Sequence, residues 1–424
     1  MRIAYVMQDG GPDVRQRPLS GPANHVWQVF KELNDQGHEV RFLARYQGRL
    51  WSSRDLESFQ PVVVSRYDGG PIRAIERGVR GVQSRLQLPY LNLFESLRFA
   101  EACVQEFTGC DIIYERMGWF GYGAGLAARR MGIPLILEVN NGDLATELDR
   151  LGVGPQGVQR RLAIELMRRA VFRASHYVAS GHGHCRRFIE FWGVEPERVT
   201  VVENGSELVH LLMRNQLRAF GPAADQASRV TIVYVGAFEP WHGVTVLLDA
   251  MPHIITSTPS VSLKLLGSGT LRNEIAHQIT ALELESHVEM IGQVDIHQVA
   301  EQLKHADIGV APYCGWMEYS GLKLFDYKAA ALGIVASGEN GHPATLCHER
   351  TALIVPPCNE GALATAILRL ITDVELRRKL GREARLEAER VHSWHHTAEQ
   401  LEQVFLGVLQ EAAGGVTTDK VARP

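Results

Sequence analysis

The chain has 424 residues, is 45% hydrophobic, 22% charged and 8% aromatic, and sets 44 Lys and Arg against 48 Asp and Glu for a formal charge of −4. That length suggests two or three domains, and that composition excludes a disordered chain, a collagen-like repeat and a coiled-coil rod. No apolar run approaches the roughly 18 residues of a membrane span, and the charge balance is not that of a nucleic-acid-binding protein.

The first element is a strand, Arg2–Met7. Its apolar core is too short for a signal peptide, so a cytoplasmic protein is expected. A helix over His25–Gln36 follows, closed by Gly37-His38, and then strands at Glu39–Ala44 and Val62–Ser65. The segments 46–60 and 66–98 carry no motif and read as variable loops. Strands at Asp111–Glu115, Leu135–Val139, His176–Ala179 and Val199–Val202 follow, with a helix over Val158–Arg173. In the second half, strands at Thr231–Gly236, Ser262–Leu266, Val288–Ile291, Ile308–Ala311, Ile334–Ala336 and Ala352–Val355 alternate with helices near 244–255, 270–282, 295–304, 321–332, 360–371, 374–390 and 393–412.

Repeated strand-then-helix order implies parallel sheets with helices on both faces. Thirteen strands are too many for one ordinary sheet, so two doubly wound α/β domains are expected. The predicted domains are 1–205 with a returning helix 393–412, a linker 206–228, a second domain 229–392, and a flexible tail 413–424. The halves differ in charge: 26 basic and 23 acidic residues in 1–205, 18 and 25 in 206–424. Six cysteines, at 103, 110, 185, 314, 347 and 358, form no C-x-x-C pair and are expected to be reduced thiols.

In open α/β sheets ligands bind beyond the carboxyl ends of the strands. The informative stretch there is WMEYSGLKLFDYKAAALGIVASG, 316–338. Ser320 and Gly321 stand at a helix N-terminus, where free N–H groups favour anions. Lys323 places a cation in the first helical turn, against the dipole, which is sensible beside a diphosphate. Glu318 and Asp326 are two carboxylates flanking that position, able to accept hydrogen bonds from sugar hydroxyls. A solvated loop acid and an ordinary helix acid are the bland alternative, because such spacing arises often by chance.

The stretch resembles the donor-site motif of the family 4 glycosyltransferases, retaining enzymes of the GT-B fold: Glu318, seven residues, Asp326, then Ala331-Leu-Gly333-Ile-Val-Ala-Ser337. The resemblance extends in order through 20–40, 111–142, 202–207, 235–251, 263–275, 291–294, 306–313 and 392–405. It implies two Rossmann-like domains facing an interdomain cleft, a nucleotide-sugar donor, and transfer of a hexosyl unit to an acceptor hydroxyl by front-face attack. It implies that Glu318 contacts the hexose and Asp326 the ribose, the latter with one methylene less than the family's Glu. Amides near Ser320, Gly321 and Leu322 would face sugar and β-phosphate. Gly21 would lie near diphosphate and acceptor, with Ser20 replacing the family's first glycine. Val294 would meet the base. Gly236 and Gly267 match the family's strand-end glycines.

Ala237 and His242 stand where many members carry Arg and Lys, which shifts diphosphate neutralisation to Lys323, helped by His242 if protonated. Asn140 stands where many members have a catalytic His; it can hydrogen-bond but cannot transfer a proton. No Asp-x-Asp motif is present, and no essential metal or cofactor is expected. The acceptor is left open: a sugar, a lipid-linked glycan or a small molecule. The resemblance also raises contact with an anionic membrane through Arg73, Arg77 and Arg80, or through Arg160, Arg161, Arg168, Arg169 and Arg173; a solvated face is the alternative.

Three other readings compete. A sugar-nucleotide epimerase or a silent nucleotide-binding protein could share the scaffold. Gly123-Ala-Gly125-Leu-Ala-Ala128 with Glu138 is a loose dinucleotide fingerprint, but its first glycine lies too far past the strand. The bland reading is a small-residue helix packed closely on the sheet. His182, His184 and Cys185 have no second cluster of matching spacing and read as a polar loop entering a helix.

Overall fold

The structure is a computed structural model that describes residues 1–424 apart from 9–10, 65–66, 68, 87–91, 119, 141, 144–156, 222–228, 316–320, 340–342 and 419–424, and apart from the side chains of 415–418. The chain divides into two compact units, Met1–Glu203 with Ala398–Pro424, and Asn204–Thr397.

The first unit is built on an eight-stranded sheet. Strand β1 (Arg2–Met7) is a run of apolar residues in which Ile3 through Met7 are all buried, as a central parallel strand covered on both faces requires. Helix α1 (Gly21–Asp35) starts on Ser20, whose hydroxyl accepts from the Ala23 amide. It buries Ala23, Val26, Val29, Phe30 and Leu33, a helical stripe, and the chain leaves it through Gly37 at φ +89°. Strand β2 (Glu39–Tyr46) pairs parallel with β1, and β3 (Arg49–Ser53) and β4 (Gln60–Val62) add antiparallel at the edge.

The segment 46–60 is therefore not a structureless loop. Gln47 and Gly48 both take positive φ, 51° and 77°, which makes the two-residue turn that matches strand twist. Nor is 66–98, which holds α2 (Gly70–Arg85) and the start of α3 (Leu93–Glu106). The third expected strand, Val62–Ser65, ends at Val62, and residue 65 lies outside the described residues. Then follow β5 (Ile112–Arg116), α4 (Gly123–Met131), β6 (Leu135–Val139), α5 (Gly157–Val171), β7 (His176–Ala179), α6 (His182–Trp192) and β8 (Val199–Val201). The strand order is β4-β3-β2-β1-β5-β6-β7-β8.

The second unit holds α7 (Leu208–Leu211), β9 (Thr231–Val235), α8 (Val244–Ser257), β10 (Ser262–Leu266), α9 (Arg272–Ala281), β11 (Val288–Gly292), α10 (Ile296–Lys304), β12 (Ile308–Ala311), α11 (Leu322–Ala329), β13 (Gly333–Ser337), β14 (Leu353–Val355), α12 (Glu360–Thr372) and α13 (Val374–Val391). Its parallel sheet runs β11-β10-β9-β12-β13-β14. Both sheets reverse direction of growth beside their first strand, between β1 and β5 and between β9 and β12. Those are the switch points where doubly wound sheets open a crevice at their strand ends.

The described part of 206–228 is not a free linker. Leu208, Leu212, Leu217 and Ala219 are buried in the core of the second unit with Leu324 and Tyr327. The last helix, α14 (Trp394–Thr418), returns to the first sheet, where Phe405 packs on Tyr114 at 5.2 Å between rings. It runs on through 413–418, which were expected to be flexible; residues 419–424 lie outside the described residues.

Cysteine chemistry is the clearest departure from expectation. Cys314 and Cys358 form a disulfide. Cys314 follows β12 and Cys358 precedes α12, so two turns far apart in sequence meet at one edge of the crevice. No short spacing could announce that. Cys103, Cys110, Cys185 and Cys347 are free thiols.

Candidate functional site

In the second unit the strand-end glycines and the α11 lysine come together. Gly236 follows β9 at φ +140°, and a Cβ there would lie 2.8 Å from the Lys323 Cε. Gly267 follows β10 at φ +137°, and a Cβ there would lie 1.9 Å from the Gly236 carbonyl oxygen. A Cβ on Gly321, the N-cap of α11, would lie 2.6 Å from the Tyr313 hydroxyl. These positions lack side chains because backbone and neighbouring side chains already fill the space.

Lys323 is 6% exposed. Its ammonium stands over two rings, 5.1 Å from the Tyr234 centroid and 4.7 Å from the Tyr313 centroid. Cation–π attraction at both faces holds the charge at the switch point between β9 and β12. Tyr234 donates its hydroxyl to the Ala237 carbonyl at 2.7 Å. The His242 Nδ1 lies 2.7 Å from the same carbonyl. A carbonyl only accepts, so Nδ1 carries the proton and the imidazole is fixed in one tautomer. His242 is thereby gathered into the cluster with Gly236 and Lys323. Leu322 is the first residue of α11, beside Gly321.

Asp326 lies one turn along α11 and is turned toward the 204–207 segment. Ser206 donates its hydroxyl to Oδ1 at 2.6 Å. Burial pushes the Asp326 carboxyl up to about 6, the Ser206 bond pulls it down, and Glu207 pushes it up. Val294 lies between β11 and α10, half-buried against the same core as Leu217. Glu318 and Ser320 lie outside the described residues.

Gly21 and Asn140 belong to the first unit. Gly21 opens α1 and is exposed. Asn140 follows β6 and donates its side-chain amide to Glu138. Glu138 is fully buried and also meets Arg116 at 2.7 Å, His25 at 2.8 Å and the Tyr5 hydroxyl at 2.9 Å. Burial alone would raise its carboxyl, but His25 and Arg116 beside it win and hold it well below the usual carboxylate range. An ionised carboxylate only accepts, so Asn140 must offer its NH2 and turn its carbonyl oxygen away. His25 sits one turn into α1, which brings the start of that helix alongside the end of β6.

Sequence reasoning missed Tyr234, Tyr313, Ser206 and the partners of Glu138. One signal was there: in Glu138-Val-Asn140 the period of two puts acid and amide on one face. The loose dinucleotide fingerprint is a packing device. Gly123 opens α4, and a Cβ there would lie 2.7 Å from the Gln8 Oε1 and 2.8 Å from the Phe99 Cβ. His182, His184 and Cys185 lie in the first turn of α6. Among the described residues no three His, Cys, Asp or Glu side chains gather as a metal site would need.

The arginine faces are partly neutralised. Arg80 pairs with Glu76 at 2.7 Å and Glu95 at 2.9 Å, and Arg169 with Glu165 at 3.1 Å. Among the described residues no helix is long and apolar enough to cross a membrane.

The sequence profile "Glycosyl transferase 4-like domain" matches residues 20–205, and "Glycosyl transferases group 1" matches residues 221–387. The chain is 24% identical over 427 residues to a D-inositol 3-phosphate glycosyltransferase of Jonesia denitrificans, covering 92% of this chain and 94% of that one. It is 29% identical over 200 residues to a phosphatidyl-myo-inositol mannosyltransferase of Mycolicibacterium smegmatis, covering 45% of this chain and half of that relative's length. Among solved structures, HepE of Anabaena in complex with UDP superposes with a TM-score of 0.66 at 16% identity, over 96% of this chain and 100% of that one. Sucrose-phosphate synthase of Thermosynechococcus elongatus superposes with 0.65 at 20% identity, over 97% and 100%.

Proposed function

The chain belongs to the group 1 glycosyltransferases of the GT-B fold, and from that membership we propose that it transfers a hexosyl unit from a UDP- or GDP-sugar to an acceptor hydroxyl, with retention of anomeric configuration and without a metal. The observation that carries this reading is the Lys323 ammonium held over Tyr234 and Tyr313 against Gly236. A nucleoside diphosphate leaves with developing negative charge on its oxygens. A fixed cation and the N–H groups at the start of α11 are stabilisers that need no reorganisation as the bond breaks. His242, with Nδ1–H committed to Ala237, has Nε2 as the position for a second proton, and protonated it would add a second positive group. Departure of the diphosphate leaves an oxocarbenium-like sugar, which the acceptor hydroxyl attacks from the same face. Glu318 would hold the hexose and Asp326 the ribose. Asn140, its amide orientation set by Glu138, would offer a carbonyl oxygen to a sugar hydroxyl. Two relatives are named for inositol acceptors, so an inositol-type polyol hydroxyl is the first acceptor to test.

The test is calorimetric titration of UDP, GDP and their hexose conjugates, with EDTA present throughout, on wild type and Lys323→Ala, followed by transfer assays. Removal of the cation is expected to weaken nucleotide binding and to lower kcat on the order of a hundredfold, the size of losing one preorganised charge stabiliser. Near-normal kinetics in Lys323→Ala would sink the proposed role. Nucleotide binding with no turnover on any acceptor would favour a silent binding protein.

A further inference from the structure

Asp326 and Ser206 meet across 120 positions of sequence, and the serine is locked in place. Ser206 is 1% exposed. Its amide donates to the His392 carbonyl at 2.9 Å. Its hydroxyl oxygen accepts from the Leu208 amide at 3.1 Å, so its single proton is directed to Asp326 Oδ1 at 2.6 Å. The preceding residue packs directly on backbone: a Cβ on Gly205 would lie 2.3 Å from the Ser393 carbonyl carbon and from the Trp394 amide nitrogen. An aspartate has a short arm, and a fixed donor on one oxygen defines where the other oxygen points.

We propose that Ser206 is a positioning residue for the donor: by occupying Oδ1 of Asp326 it aims Oδ2 at the nucleotide ribose. The inference rests on the reading that Asp326 holds the ribose hydroxyls. It explains how an acid one methylene shorter than glutamate serves at this position, since the partner hydroxyl supplies the orientation that the longer arm would otherwise find by itself.

The bond also sets the charge of the acid. The groups that face Asp326 are Ser206 and Glu207 from the 204–207 segment, and Tyr327 from its own helix. The His392 ring, packed on Phe325 at 5.0 Å, stays neutral because burial beside Lys328 pushes it down to about 3. The ammonium of Lys328 is engaged by Glu387 at 3.3 Å and the Thr345 carbonyl at 2.9 Å. Ser206 is thus the hydrogen-bond donor that keeps the buried carboxyl from rising further, and losing it moves protonation toward neutral pH.

The experiment titrates UDP and GDP by calorimetry from pH 5 to pH 8 on wild type, Ser206→Ala, Ser206→Thr and Asp326→Asn, with donor KM and kcat measured beside it. In wild type, affinity is expected to rise with a midpoint near 6, where Asp326 ionises. In Ser206→Ala the donor KM is expected to rise about three- to tenfold, the size of one typical net hydrogen bond, with kcat little changed and the midpoint moved upward. Ser206→Thr, which keeps the hydroxyl, is expected to restore both. If Ser206→Ala does not fold, Ser206→Cys, a weaker donor of similar size, is expected to show the same upward shift. Wild-type KM and midpoint in the Ala variant, with a weakened Asp326→Asn, would overturn the positioning role alone. Wild-type affinity in Asp326→Asn would overturn the ribose reading beneath it.

Discussion

Two glycines at the strand ends differ in what they touch, and that difference sets their tolerance. The space above Gly236 is filled by the Lys323 side chain, which is flexible. The space above Gly267 is filled by the Gly236 carbonyl, which is backbone. Both take φ values that side chains rarely adopt, at a cost of about 1–3 kcal/mol each. Gly267→Ala is therefore expected to lower stability by more than Gly236→Ala, because backbone must move as well. Gly236→Ala is expected to fold and yet bind nucleotide weakly, since the methyl displaces the lysine. Urea denaturation and calorimetry on the two variants check this; equal losses of stability, or full affinity in Gly236→Ala, would contradict it. Neither neighbour is visible along the chain. The glycines themselves were legible through the family resemblance, at the ends of predicted strands, and Lys323 from its place in a first helical turn. The rings that hold the lysine were not, because Tyr234 lies on β9 and Tyr313 just past the end of β12, strands far apart in sequence that only the sheet makes adjacent.

Elements in the second unit are joined by more than packing. The disulfide closes a loop of 44 positions between the turn after β12 and the turn before α12. In the chain-entropy description such a closure stabilises by about 4 kcal/mol. Cys358→Ser, or reduction of the wild type, is expected to lower the melting temperature, and wild-type melting under reduction would show that the closure contributes nothing. Donor affinity is a separate readout, since Cys314 lies on the segment leading to Gly321 and Lys323. Element positions themselves were readable from local patterning. The strand runs at 2–7, 135–139, 176–179 and 262–266 end where their apolar residues end. The edge strands at 49–62 were not read, because their alternation is short and the turn that leads into them, Gln47-Gly48, is a weaker signal than Asn-Gly. The short helix α7 was likewise hidden in a stretch whose polarity suggested a linker, although Leu208, Leu212 and Leu217 are buried.

At the scale of the whole molecule, two buried groups of the second unit pull the acid response in opposite directions. Burial and the charges of Lys328, His396 and Arg390 push His392 down to about 3, from an ordinary value of about 6.5. A neutral folded ring and a protonated unfolded one mean that its contribution to stability is complete above about 6.5 and is lost as pH falls toward 3. Asp326, raised to about 6, contributes stability that is complete below about 4 and is lost as pH rises through 6. The histidine departs further from its ordinary value, so its effect is the larger. His392→Gln is expected to flatten the acid-side loss, keeping up to about 2 kcal/mol more of its own stability than wild type does between pH 6.5 and pH 4.5. Denaturant midpoints at the two pH values read this directly. Parallel changes in the two proteins would mean that His392 does not govern the response.

What the sequence determined by itself is everything that local physics sets: the alternation of strand and helix, two doubly wound sheets, the glycines at strand ends, and an acid, a cation and a helix start in one short motif. Hydrophobic period, turn residues and dipole preferences act within a few residues, so they are written where they act. The tertiary structure decided the pairings. Ser206 with Asp326, Glu138 with His25 and Arg116, Lys323 with Tyr234 and Tyr313, and Cys314 with Cys358 each join positions that share no local pattern. Their partners are selected by sheet order and crossover, and a side chain that touches another across ten to more than a hundred residues leaves no period in the chain for a reader to find.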